Sequence, residues 1–421
     1  MDLMNPYIEV IDVCFILILS YLFNWISKIY NIPSVLLLIL LGIAIRFGLD
    51  YVGVNTSGKL MNILQIVGII GLIMIVLEAA LELELKRENM PLIIKSFFLA
   101  LFSLGACIAM ITYILHEFLI NDLFSALLYG VSLSVVSSAI VIPSVGGLLK
   151  KNKEFLVYES TFSDILGIMI FFYLLANVDK TSATEIALDV VVNLGATIIL
   201  SLLIGYAMVI LLNRMKSQVK LFLLISLLVL LYAVGKLFHF SSLIMILVFG
   251  LILNNSPLFF QGRLKRFIDR ESLGSIQKDF HILTMESAFF IRTFFFVIFG
   301  MTLELSDMLN ETAVFASMAI IAGIYIIRLI SLKLFRVKRL FPEVFVSPRG
   351  LITILLFFSI PVTWQSNNFN PGILLYVILV TSVVMAISLM LKGKDRAFAD
   401  KLSFDSWEAL DSEIASGRKK E

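Results

Sequence analysis

The chain has 421 residues, of which 60% are hydrophobic and 15% charged, and its formal net charge is +2. A soluble domain carries roughly 25% charged residues, so this composition excludes an ordinary soluble globule and indicates a membrane protein. The near-neutral charge argues against a nucleic-acid partner. Both cysteines lie in apolar stretches, which excludes a disulfide framework.

Thirteen apolar stretches come close to the ~20 residues that a helix needs to cross a bilayer. We therefore predict an all-α polytopic membrane protein with about 13 transmembrane helices. The predicted spans are 8–27, 33–49, 60–81, 91–115, 123–148, 156–177, 186–212, 219–236, 241–254, 283–303, 312–332, 344–363 and 371–391. Basic and apolar residues alternate in 255–282, which predicts an amphipathic cytoplasmic connector. Residues 392–421 are predicted to form a short cytoplasmic tail after the transmembrane domain of 1–391.

Lysine and arginine are distributed very unequally between alternate loops. One set of loops, together with the tail, holds 26 of the 33 basic residues, and the other set holds four. Basic loops stay on the cytoplasmic side, so we expect the N-terminus outside and the C-terminus in the cytoplasm, in a plasma (inner) membrane. Three arginines lie inside spans. We expect Arg328 to reach the cytoplasmic interface close to Lys333, whereas Arg292 lies too deep and needs a carboxylate partner.

Asp164 lies in the sixth predicted span, surrounded by hydroxyl side chains. An ionisable residue in a membrane span costs at least ~2.5 kcal/mol and by default marks an ion or proton pathway. Ser160 is four residues earlier, so both side chains share one helix face. The predicted ion- and proton-binding residues are Asp164, Ser160, Ser163, Ser137 and Ser138.

A weak internal repeat relates the two halves of the chain. Ser34 and Gly42 of the second span match Ser242 and Gly250 of the ninth. An odd number of spans separates the copies, so the second copy is inverted, and we place the repeats at about 33–177 and 241–391. Inverted repeats are typical of secondary transporters, whose sites form where corresponding helices break.

We predict these breaks in the fifth and twelfth spans. The fifth carries Ser137-Ser138 followed by Pro143, and the twelfth carries Arg349-Gly350. Proline and glycine free backbone carbonyls, and serine hydroxyls can replace or supplement them. Such hard oxygen atoms suit a small alkali cation. Ordinary packing by small residues is the structural alternative for the fifth span.

These motifs resemble those of the cation/proton antiporters, especially the Na+/H+ exchangers, over roughly residues 10–391. Glu159-Ser-x-x-Ser163-Asp164 is similar to the Glu-Ser-x-x-Asn-Asp signature of that family. The stretch 134–141 resembles its unwound crossing segment, the surroundings of Arg292 its arginine-bearing span, and Arg349-Gly350 the Arg-Gly of its second crossing helix. The resemblance implies an inverted-repeat antiporter fold with two broken crossing helices, a core domain and a dimerisation domain, and a homodimer.

Together, residues and resemblance predict a secondary transporter, not an enzyme, that exchanges a monovalent cation for H+ by alternating access. Na+ is favoured as the cation, with an electroneutral ratio of one to one, because a single buried carboxylate holds either ligand. Two departures leave alternatives open. Ser137-Ser138 replaces the Thr-Asp of many exchangers, which favours a K+/H+ antiporter of the potassium-efflux type. Ser163 replaces Asn, which leaves open a transporter-derived sensor without turnover.

The other ionisable residues receive structural interpretations. We expect Glu159 to form a structural ion pair with Arg292, with a role as a proton funnel left open. Glu78 is expected on a solvated rim at a cytoplasmic helix end, and Glu286 at the interface. The three histidines lack helical metal-ligand spacing, so we predict no metal site and no cofactor.

Overall fold

The structure is a computed structural model of the chain. It describes residues 14–23, 25–26, 34–52, 71, 73–81, 83, 85, 87–176, 183–214, 220–237, 242–261, 270–302, 310–337, 340–366 and 368–392. All regular elements in these residues are helical, as predicted. The predicted tail after Lys392 lies outside the described residues.

The helices follow the predicted spans in chain order. We number them α1 to α15: Cys14–Phe23, Ser34–Val52, 73–81, Met90–Phe118, Leu123–Ser134, Ser138–Ser144, Lys150–Ala176, Ala183–Arg214, Lys220–Leu237, Ser242–Asn254, Ser256–Phe259, Arg270–Thr302, Glu311–Leu334, Leu351–Phe358 and Gly372–Lys392.

Within the described residues, six segments are long and apolar enough to cross a membrane: Met90–Phe118, Leu123–Gly147, Lys150–Ala176, Gln277–Thr302, Glu311–Leu334 and Gly372–Lys392. A multi-pass membrane protein is thereby confirmed. A helix also overlaps each of the other predicted spans. The exact number of thirteen crossings stays a prediction.

The predicted start of the tenth span at residue 283 does not coincide with a helix end. Helix α12 runs without interruption from Arg270 to Thr302, so residues 270–282 belong to the same helix as that span, and their predicted role as part of a cytoplasmic connector stays a prediction. At 1.5 Å per residue, 33 residues extend for about 50 Å, which is longer than the hydrocarbon core of about 30 Å. Residues 262–269 lie outside the described part of the chain.

The helices pack in groups that determine which of them can reach the site. Helix α4 packs against α5, α7 and α13, whereas α2 packs against α12, and α10 against α8 and α9. At the α2–α12 contact the backbones touch: a Cβ atom on Gly42 would lie 2.1 Å from the carbonyl oxygen of Val297, and one on Gly300 would lie 2.3 Å from that of Ile39. Small residues of this kind allow close helix packing in membranes.

The break predicted in the fifth span separates two helices, whereas the one predicted in the twelfth span is a stretch of irregular chain that precedes a single short helix. Helix α5 ends at Ser134, the chain is extended at Val135 and Ser137, and α6 begins at Ser138. In the second half, irregular chain leads through Arg349 to Gly350, and α14 begins at Leu351. The two breaks meet, because the Ser137 N–H donates a hydrogen bond to the carbonyl oxygen of Pro348 at 2.9 Å.

Candidate functional site: a carboxylate at two crossing helix breaks

Asp164 lies on α7 beside the break between α5 and α6. Its side chain is 3% exposed, and Oδ2 accepts a hydrogen bond from the Ser138 N–H at 2.9 Å. The other oxygen, Oδ1, is buried and has no hydrogen-bond partner among the described residues. The carboxylate is therefore held through one of its two oxygens.

Three consecutive backbone amides of the break are bound by groups from other segments. The Val136 N–H donates to Ser163 Oγ at 3.0 Å, the Ser137 N–H to Pro348, and the Ser138 N–H to Asp164. A buried amide without a partner is costly, and a broken helix in a membrane needs such substitutes. Two adjacent residues of α7, Ser163 and Asp164, thus bind the amides on either side of Ser137 and stabilise the first break.

The predicted oxygen ligands have different roles in the structure. Ser163 Oγ accepts the Val136 amide, and Ser160 Oγ donates to the carbonyl oxygen of Val157 on its own helix at 3.2 Å. Ser137 Oγ is buried and has no partner in the described part of the structure. The structure therefore brings Ser137, Ser138 and Ser163 to the segment that Asp164 contacts. The Ser160 hydroxyl is instead directed to its own helix.

Arg349 is buried at the second break, where the sequence left its environment undetermined. Its Nε donates to the carbonyl oxygen of Leu133 at 3.1 Å, and its Nη1 donates to the carbonyl oxygen and hydroxyl of Ser347 at 2.9 and 2.6 Å. Leu133 is in the last turn of α5, where carbonyls lack helical partners and carry partial negative charge. The guanidinium therefore stabilises the end of α5 from the irregular segment that precedes α14.

Gly350 and Pro143 adjoin the same crossing. A Cβ atom on Gly350 would lie 2.8 Å from Ser137 Oγ and 2.6 Å from Ile140 Cδ1, so any larger residue would force these side chains to move. Pro143 is inside α6 and lines the cavity described below.

The predicted ion pair between Glu159 and Arg292 is wrong. Glu159 pairs with Arg328 of α13, whose Nη1 and Nη2 contact the two carboxylate oxygens separately, the latter at 3.0 Å. Arg292 of α12 pairs instead with Glu78 of α3 at 2.7 and 2.9 Å. The reason is topological: α13 packs with α4, which also packs against α7, whereas α12 packs against α2.

Two further expectations change with this pairing. Arg328 does not reach the interface, because its side chain is 2% exposed and its Nε donates to the carbonyl oxygen of Glu343. Glu78 is not a solvated rim residue, since its side chain is 14% exposed and bound to Arg292. Each pair brings together residues from distant parts of the sequence. The spacing of residues within one helix does not predict contacts of this kind.

A cavity of about 640 Å³ leads towards the site between α1, α2, α3, α6 and α12. Ser138, whose amide binds Asp164, lies in its wall, as does the Glu78–Arg292 pair. No group of three or more His, Cys, Asp or Glu side chains that could hold a metal occurs among the described residues.

A buried carboxylate beside two meeting chain breaks, in a multi-pass helical protein, is typical of secondary transporters of the cation/proton antiporter class. The comparison with protein families gives the same result, because the sodium/hydrogen exchanger transmembrane family matches residues 14–392. The chain belongs to this family of transporters, which are antiporters and not catalytic enzymes.

Two solved structures of the sodium proton antiporter MjNhaP1 from Methanocaldococcus jannaschii resemble this chain. The structure at pH 8 has a TM-score of 0.69 and 20% identity, covering 93% of this chain and 100% of the other. The one from a 3D EM map has a TM-score of 0.66 and 19% identity, covering 96% and 98%. These likenesses confirm the predicted antiporter fold. No curated protein matches the chain.

Proposed function

We propose that this protein exchanges Na+ for H+ and that Asp164 is the group which carries either ion. The observation on which this rests is that two buried oxygen atoms beside the two breaks, Asp164 Oδ1 and Ser137 Oγ, have no hydrogen-bond partner among the described residues. Family membership supports cation/proton exchange as the activity. Hard oxygen atoms of this kind suit an alkali cation.

Competition at one carboxylate gives coupled exchange. An isolated buried carboxylate is strongly disfavoured, so Asp164 holds a proton or a cation when its surroundings exclude water. If only the occupied site reorients between the two sides, cation movement one way requires proton movement the other way. This is alternating access at a single shared site.

The charges around the site support an electroneutral ratio of one to one. Glu159 and Glu78 are each bound to an arginine, so Asp164 is the acidic residue at the crossing that has a free oxygen. The positions where other antiporters carry additional acidic groups hold Ser163 and Ser138 in this chain. One proton and one monovalent cation neutralise the same charge, so neither form of the site carries net charge across.

The test is exchange in everted vesicles with an imposed pH gradient. Addition of Na+ is expected to dissipate the gradient in the wild type and to have no effect in Asp164→Asn. Asp279→Asn provides a matched control, because it makes the same chemical change at an exposed position of α12. Full exchange in Asp164→Asn would rule out Asp164 as the carrier.

Parallel additions of K+ and Li+ determine the cation. The residues Ser137-Ser138 favour K+/H+ exchange as the second candidate, since they differ from the Thr-Asp of many exchangers. Loss of the gradient with K+ alone would establish that alternative. No response to any of the three cations from a folded protein would support a sensor without turnover.

We further propose a homodimer in the plasma (inner) membrane, with the N-terminus outside. The orientation rests on the distribution of basic residues between alternate loops. A protease-accessible tag at each terminus of intact cells tests it: cleavage at the N-terminal tag alone is expected, and cleavage at the C-terminal tag would reverse the orientation.

A further inference from the structure

One face of α12 forms a wall of the 640 Å³ cavity and has no role in the exchange site described above. Glu286, Phe289 and Thr293 follow one another at intervals of three and four residues, so they lie on the same side of the helix, and all three line the cavity. At 1.5 Å per residue, Glu286 and Thr293 are separated by roughly 10 Å along the axis. This face therefore runs along the cavity towards the depth of Arg292.

The two polar residues of this face have unused binding capacity. Thr293 is 1% exposed, and its Oγ1 has no hydrogen-bond partner in the described part of the chain. Glu286 is exposed and forms no ion pair with another described residue. Buried hydroxyls normally find a partner, and Thr293, which lines the cavity, has a hydroxyl available to a ligand that enters it.

The charge of the cavity also favours a cation. Glu78 and Arg292, which share its wall, neutralise each other. Among the described residues that line the cavity, Glu286 is then the charged side chain without an ion-pair partner. Ser138, whose amide donates a hydrogen bond to Asp164, also lines the cavity. A cleft whose net charge is negative raises the local concentration of cations.

We propose that this face of α12 is the cytoplasmic access path for the transported cation, in which Glu286 captures the ion at the mouth and the Thr293 hydroxyl binds it on the way to Asp164. The identity of the ion as a monovalent cation rests on the proposed function. The assignment of the mouth to the cytoplasmic side rests on the distribution of basic residues.

Glu286→Gln tests the capture step. At low ionic strength it is expected to raise the apparent KM for Na+ about threefold when Na+ is added to the cytoplasmic face, with kcat unchanged, because one exposed charge is removed. An inert organic salt at high concentration should abolish the difference. Glu311→Gln removes the same charge from an exposed position outside the cavity and is expected to leave KM unchanged. An unchanged KM in Glu286→Gln, or an equal rise from both faces, would overturn the proposal.

Accessibility tests the path independently of transport rates. In a Cys14→Ser background, Phe289→Cys is expected to react with a positively charged, membrane-impermeant methanethiosulfonate in everted vesicles, and Na+ should slow the reaction. Phe290→Cys is the matched control, since Phe290 is exposed on the helix surface and does not line the cavity. Equal labelling of both, or of neither, would refute the path.

Thr293→Val tests the second step by replacing the hydroxyl with a methyl group of similar shape. We expect a higher KM for Na+ from the cytoplasmic face, whereas Thr293→Ser should retain the wild-type value. Failure of the path and failure of the proposed exchange are distinguishable. The wild type and Asp164→Asn establish exchange first, and unaltered KM values in an exchanging protein contradict the path alone.

Discussion

The buried pair of Glu159 and Arg328 gives a prediction about stability that can be worked out from the structure. Both side chains are 2% exposed, and each carboxylate oxygen has its own guanidinium nitrogen. Arg328 also donates from Nε to the carbonyl oxygen of Glu343. The pair thus joins α7, which carries Asp164, to α13 and to the turn before the second break.

Removing one partner leaves the other charge buried without compensation. Glu159→Gln preserves the shape of the side chain and removes the charge, which is expected to cost about 3–5 kcal/mol in the free energy of unfolding. Arg328→Met is expected to cost at least as much, because it also leaves the Glu343 carbonyl without its donor, at about 1–3 kcal/mol. The double substitution removes both charges, so its cost should fall short of the sum by at least ~2 kcal/mol.

The assay is a double-mutant cycle on purified protein in detergent, with unfolding followed by intrinsic fluorescence. Glu78→Gln is the comparison. Its pair with Arg292 is 14–18% exposed, so solvent screens it more and a smaller loss is expected. A second cycle that combines Glu159→Gln with Arg292→Gln should be additive, since the structure places these residues in different pairs.

The opposite pattern would refute this reasoning. If the cycle of Glu159 with Arg328 were additive while that of Glu159 with Arg292 showed strong coupling, the partners assigned by the structure would be incorrect. The original expectation from the sequence would then be restored. A loss in Glu159→Gln no greater than in Glu78→Gln would show that the pair is not buried as described.

Three further predictions concern the crossing. Gly350→Ala is expected to abolish exchange while the protein still folds, because the new Cβ would lie 2.8 Å from Ser137 Oγ; transport and size-exclusion profiles measure this, and wild-type exchange would contradict it. Ser163→Ala leaves the Val136 N–H unpaired and should cost about 1–3 kcal/mol, whereas Ser163→Asn should recover much of this loss in unfolding assays. Lowering the pH on the side of Na+ addition should raise the apparent KM for Na+ at constant maximal rate, because H+ and Na+ compete for Asp164; a purely pH-dependent maximal rate would exclude simple competition.

Much of the fold could be predicted from composition because a membrane limits the choices. Backbone amides cannot remain unpaired in hydrocarbon, so apolar stretches of sufficient length form helices, and the described helices overlap every predicted span. The breaks were predictable for the same reason: serine, proline and glycine are residues that can replace lost helical bonds or cause their loss. Ser137 and Gly350 meet where the pattern predicted.

The ion pairs could not be predicted, because they depend on which helices are neighbours. A requirement for a carboxylate near Arg292 follows from its depth, but Glu159 and Glu78 satisfy it equally well in the sequence. The distance from Arg328 to Lys333 suggested an interfacial position, and the structure instead buries Arg328 against α7. Likewise, the fall in the density of charged residues near residue 282 suggested that a span begins there, but α12 continues through this position without interruption.

The role of Ser163 follows from the backbone that it supports. Ser163 is the residue at which the Glu159–Asp164 motif departs from the family signature, which has Asn there. This departure is the reason why a sensor without transport activity was an alternative. In the structure its hydroxyl accepts the amide of Val136, a role that requires a short side chain with an oxygen acceptor, which Asn also has. An acidic residue could accept the same bond but would add a second charge beside Asp164. Serine thus retains the support of the break without that charge, which favours a working site with a single carrier over a scaffold that has lost its site.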